Sequence, residues 1–88
     1  MIERTATVMN PLGVHARPAA QLVKLANTFR SEIQLVKDGV PVNGKSIMGV
    51  MILAAECGSN ITVRAEGDDA EAAVGALIQL VTSGFGET

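Results

Sequence analysis

With 88 residues, 48% of them hydrophobic, and a formal net charge of −2, the chain has the material for one small domain with a modest core. A single cysteine, Cys57, excludes an internal disulfide, and a single histidine leaves no metal-ligand cluster. Mild acidity and only two aromatic residues, Phe29 and Phe85, argue against a nucleic-acid binder, and no apolar run reaches membrane-spanning length.

A first strand is expected over residues 2–8. Ile2, Ala6 and Val8 alternate there with Glu3, Thr5 and Thr7, and only Arg4 spoils the period of two. Residues 9–14 read as a loop, with a turn at Asn10-Pro11-Leu12-Gly13. A helix follows over 16–27, burying Ala19, Leu22, Val23 and Ala26 while Gln21 and Lys24 face water. Strands at 32–37 and 40–43 flank Asp38-Gly39, a hairpin turn whose central residues accept positive φ. Pro41 cannot donate to a ladder, which puts the third strand at a sheet edge.

Ser46 precedes a short helix over 47–53, and its hydroxyl can accept an N–H of the first turn. Ile47, Met48, Val50, Met51, Ile52 and Leu53 cannot all face one core. The exposed part, Ile47, Met48 and Met51, suits an adaptable docking surface. Gly58-Ser59 turns the chain into a fourth strand, 60–66, where Ile61, Val63 and Ala65 alternate with Thr62, Arg64 and Glu66. The last helix starts at Gly67-Asp68, with Asp68 and Glu71 at capping-box spacing. It buries Val74, Leu77, Ile78 and Val81 and stops at Gly84. Residues 85–88 are expected to fray.

The order is β-α-β-β-α-β-α, and every strand has one apolar and one polar face. That pattern predicts an α+β open-faced β-sandwich: a four-stranded antiparallel sheet covered on one face by three helices. No repeat or linker divides the chain, so a single domain over 1–88 is expected, with no secretory leader and in a reducing cytoplasm.

The chemistry concentrates in Gly13-Val14-His15-Ala16-Arg17-Pro18-Ala19, where loop becomes helix around the only histidine. Pro18 is tolerated in a first helical turn. With His15 as N-cap, the backbone N–H groups of Ala16 and Arg17 lack intrahelical partners and form an anion site, to which Arg17 adds a phosphate-matching cation. Histidine, arginine and helix N-terminus converging on one point suggest a phosphoryl group carried on the imidazole. A nucleophilic imidazole must be neutral, and both positive features disfavour its cation.

The order His15-Ala16-Arg17-Pro18 resembles the phosphohistidine signature of the HPr phosphocarrier family of the bacterial phosphoenolpyruvate-dependent sugar phosphotransferase system. A second segment, Val42-Asn43-Gly44-Lys45-Ser46-Ile47-Met48-Gly49-Val50-Met51, resembles the family's regulatory serine region. The likeness spans nearly the whole chain. It implies a carrier that accepts phosphate on His15 from enzyme I and passes it to enzyme IIA domains. It implies Arg17 as phosphate stabiliser, Nδ1 as the attacking nitrogen, and regulatory phosphorylation of Ser46 by HPr kinase/phosphorylase.

The docking patch at Ile47, Met48 and Met51 would serve the partner enzymes. The carrier itself needs no metal or cofactor, inserts in no membrane, binds no nucleic acid and is expected to be a monomer. It is not an enzyme in the ordinary sense, since it carries a covalent phosphohistidine. Ser83-Gly84-Phe85 is similar to the nitrogen-related, regulatory branch, while Lys45 to Met51 is similar to the sugar-type branch, which is the first reading. A regulatory or permease-less component, or an interaction module controlled by Ser46 phosphorylation, is the alternative. Leu12 and Ala54-Ala55 depart from the family pattern, the latter where glycine is common.

Overall fold

The computed structural model describes residues 1–87 and contains the expected elements in the expected order. Strand β1 is Ile2–Thr7, helix α1 Ala16–Ala26, β2 Glu32–Lys37, β3 Val40–Asn43, helix α2 Ile47–Leu53, β4 Asn60–Glu66 and helix α3 Ala70–Thr82. A single turn of 3-10 helix, Gly84–Gly86, follows α3. The sheet order is β1-β4-β2-β3, with every neighbouring pair antiparallel. The helices cover one face, with α3 against β1 and β4, and α1 against α2 and α3.

The register follows from the alternation. Ala6 pairs with Ile61, and Ile33 and Leu35 pair with Ala65 and Val63, so all six side chains enter the core together. On the other face the partners are polar. Thr5 and Thr62 share a hydroxyl hydrogen bond of 2.8 Å, and Arg64 Nε donates to Glu3 Oε2 at 2.8 Å. Pro41 lies on β3, the sheet edge, as its missing N–H requires. Asp38 and Gly39 take φ of 52° and 79°, the conformation expected of that turn.

Four details differ from the sequence reading. Strand β1 ends at Thr7 and α1 at Ala26, one residue earlier than expected in each case. Val23 and Ile78 are only half-buried, while Pro18, Ala70 and Ala73 join the buried faces.

The third difference concerns the start of α3. Its N-cap is Asp69, not Asp68, and no side-chain capping bond forms. Asp69 reaches across to the entry of β2 instead. Its carboxylate accepts from the Arg30 and Ser31 N–H groups at 2.8 and 2.9 Å and from the Ser31 hydroxyl at 2.5 Å. These bonds, led by the Ser31 hydroxyl, hold its pKa down from the ordinary 3.8 to about 2. A tertiary demand has displaced the local one.

The fourth is the tail. Phe85 is buried in the core at 4% exposure rather than frayed, and Glu87 donates its N–H to the Gly84 carbonyl at 2.9 Å. Burial of an aromatic ring outweighs the fraying tendency of a chain end. Thr88, the last residue of the expected frayed tail, lies outside the described residues.

Candidate functional site

The site begins in the loop between β1 and α1, which is held from both ends. Val14 donates its N–H to the Ala55 carbonyl at 2.7 Å, and Gly13 donates to the Asn10 carbonyl at 3.0 Å. Gly13 has φ of +67°, and a Cβ there would stand 2.6 Å from the Ala55 carbonyl oxygen. Only glycine allows the loop to lie this close to the chain leaving α2. Asn10 is 2% exposed, and its Nδ2 donates to the Gly13 carbonyl at 2.7 Å. The loop therefore delivers the next residue, His15, in one place.

His15 is the N-cap of α1, with extended backbone (φ −87°, ψ −164°) and no capping bond from its own side chain. The helical ladder opens where Ala19 donates to the His15 carbonyl at 2.9 Å. The N–H groups of Ala16 and Arg17 precede that bond, and Pro18, buried in the first turn, has no N–H to offer. Two donors without intrahelical partners and the positive end of an 11-residue helix thus directly follow His15 in the chain.

The sequence placed Arg17 at the same point. In the structure Arg17 is exposed and makes no ion pair among the described residues, so its guanidinium is not fixed on the ring. The imidazole has a different partner, a carboxylate from the far end of the chain. Nε2 of His15 lies 2.9 Å from Oε2 of Glu87, and Oε1 of Glu87 accepts from Asn10 Nδ2 at 2.9 Å. The sequence reading missed Glu87 and Asn10. A signal was present: Phe85, a large apolar side chain just past a helix stop, is hard to leave in water, and burying it turns the tail back on the domain.

Ser46 caps α2 as expected, its Oγ accepting from the Gly49 N–H at 3.2 Å. Along this short helix Val50 and Leu53 are buried, while Ile47, Met48 and Met51 are exposed as expected. Ile52 also faces water, at 71% exposure, which enlarges the apolar patch beyond the three residues singled out in the sequence. Ala54, the C-cap of α2, takes the left-handed conformation with φ of +50° and ψ of +44°. Glycine is the residue suited to that conformation. Among the described residues no helix is long and apolar enough to cross a membrane.

The chain is similar to known proteins over nearly its whole length. A family described as PTS HPr component phosphorylation site matches residues 2–83. The phosphocarrier protein HPr of Cupriavidus necator is 45% identical over 99% of this chain and 98% of its own length. The structure of HPr-C-His from Thermoanaerobacter tengcongensis superposes with a TM-score of 0.95 at 48% identity, covering 100% of this chain and 99% of that one. A second structure, an HPr dimer from the same organism, superposes at 0.78 with 48% identity, covering 99% of this chain and 100% of that one.

Proposed function

The chain belongs to the HPr family and is a phosphocarrier of the phosphotransferase system, and we propose on that basis that His15 is the residue that carries the phosphoryl group. The observation that supports this most is the position of His15 at the N-cap of α1, with the Ala16 and Arg17 N–H groups ahead of the first ladder bond.

Phosphoryl transfer passes through a loose transition state, so positioning and charge stabilisation do most of the work. In this reading the His15 imidazole attacks the phosphoryl group held by enzyme I. The two N–H groups meet its oxygens, and Arg17 swings in to neutralise charge. Among the described residues it makes no ion pair, which supports such a role, because a stored group must also leave again. The group then passes to an enzyme IIA domain.

The exposed Ile47, Met48 and Met51 are proposed as the docking surface for these partners. Apolar side chains left in water on an ordered helix support that assignment. Ser46 is proposed as the site of HPr kinase/phosphorylase. A phosphate there places about −1.5 to −2 charges immediately before the patch. The carrier is proposed to work in the cytoplasm, as one domain and one copy.

The test is the intact mass of the protein after incubation with phosphoenolpyruvate, magnesium and enzyme I, beside His15→Ala. One added phosphate, labile in acid and absent from the variant, is the expected result. An equal gain in the variant would remove His15 from the role.

A further inference from the structure

Glu87 and His15 are 72 positions apart, yet the Glu87 carboxylate lies 2.9 Å from the ring nitrogen Nε2. The side chains are partly shielded, with Glu87 19% and His15 37% exposed. The other oxygen of the carboxylate accepts from Asn10, whose amide is already oriented by the Gly13 carbonyl in the active loop. Both carboxylate oxygens therefore face donors that the loop holds in place. The tail has a separate anchor, because Phe85 is buried in the core.

An ionised carboxylate can only accept hydrogen bonds. At 2.9 Å, Nε2 must then carry the hydrogen, and in the neutral ring that leaves the lone pair on Nδ1. The geometry points to Glu87 as the positioning residue of the phosphoryl transfer, one that fixes the Nε2–H tautomer and balances the charge the ring gains when Nδ1 is phosphorylated. This rests on His15 being the phosphoryl carrier.

The step balances without a proton leaving the site. The Nδ1 lone pair forms the new N–P bond, and the bond between phosphorus and the donor breaks, its electron pair staying on the donor. Nε2 keeps its hydrogen throughout. The ring becomes cationic opposite the Glu87 carboxylate. On onward transfer the N–P pair returns to Nδ1, and the neutral Nε2–H tautomer is restored. A buried aspartate does the same for the histidine of hydrolytic triads, where it sets the tautomer and stabilises the imidazolium without taking its proton.

Two variants separate the parts of this claim. Glu87→Leu removes acceptor and charge together, and Glu87→Gln keeps a carbonyl that can accept from Nε2 but removes the charge. Each is assayed for steady-state phosphoryl uptake from phosphoenolpyruvate through enzyme I, and the His15 ring nitrogens are followed by long-range proton–nitrogen NMR. Backbone amide spectra establish that both variants are folded. We expect kcat to fall about tenfold in both with KM within twofold, the scale of one charge-assisted hydrogen bond acting in the transition state. We also expect the Nε2–H signature to weaken in Glu87→Leu.

Unchanged kcat in both variants, or an unchanged ring spectrum in Glu87→Leu, would overturn the inference while wild-type uptake on His15 stood intact. A raised KM with kcat preserved would make Glu87 a partner contact and overturn it equally. No uptake by the wild-type chain would instead remove the reading on which it rests.

Discussion

Replacing Ala54 by glycine should make the protein more stable. Ala54 holds φ of +50°, where its Cβ crowds the backbone, and it is exposed, so truncation loses little packing. Relief of the left-handed strain is worth about 1–2 kcal/mol for a residue with a side chain. Against this, glycine gives the unfolded chain more freedom, at a cost of about 0.5–1 kcal/mol. The balance spans about 0–1.5 kcal/mol and centres on a gain of about 0.5–1 kcal/mol. For a domain of this size such a gain raises Tm by about 2–8 °C. Thermal and urea unfolding of Ala54→Gly beside wild type would measure it, with an unchanged urea m-value as the sign that the surface exposed on unfolding is the same. An unchanged or lower Tm would refute the reasoning, since it would mean that the left-handed residue carries no strain. Ala55, the next residue, anchors Val14, so the variant also shows whether easing this joint disturbs the active loop.

Other consequences follow from the same contacts. Gly13→Ala should do the opposite of Ala54→Gly. Positive φ and a 2.6 Å approach to the Ala55 carbonyl oxygen cannot both be met, so stability should fall by about 2 kcal/mol or more in urea melts, with slower phosphoryl uptake. Asp69 releases its proton more readily in the folded than in the unfolded chain, so its contribution to stability is present above pH 3.8 and lost as pH falls through about 2. Acid unfolding of Asp69→Asn should therefore be less steep across that window than that of wild type. Arg17→Ala should slow phosphoryl uptake and donation at least tenfold while leaving Tm within about 1 °C, because the exposed side chain makes no ion pair among the described residues. Ser46→Asp should keep the α2 cap but weaken binding to enzyme I in calorimetry, and wild-type affinity would show that the added charge is not sensed there.

The strands and most helix ends were legible because local rules and the fold agree there. Ile61, Val63 and Ala65 alternate because one face of β4 is buried and the other wet. Asp38-Gly39, Pro41 and Ser46 each do what their backbone and hydroxyl chemistry dictates wherever they stand. What was not legible depends on pairs that meet only after folding. Asp68 and Glu71 have capping-box spacing, but the neighbouring Asp69 sits opposite Arg30 and Ser31 and becomes the N-cap. At the site, His15 and its place at the start of α1 could be read locally. Its carboxylate partner could not, because Glu87 reaches it only through the packing of Phe85. Arg17 adjoins His15 in sequence, but adjacency in a first helical turn fixes only the backbone, and the structure leaves its long side chain exposed.

In the proposed transfer a phosphoryl group rides on Nδ1 of His15 while Nε2 keeps its hydrogen. Nitrogen–phosphorus coupling in the NMR spectrum of the nitrogen-15-labelled chain, phosphorylated through enzyme I, tests it most directly. Coupling to Nδ1 of His15 with Nε2 still protonated is the expected result. Coupling to Nε2 would mean that Glu87 must leave the ring before transfer, and a phosphorus signal on any other residue would remove His15 as the carrier.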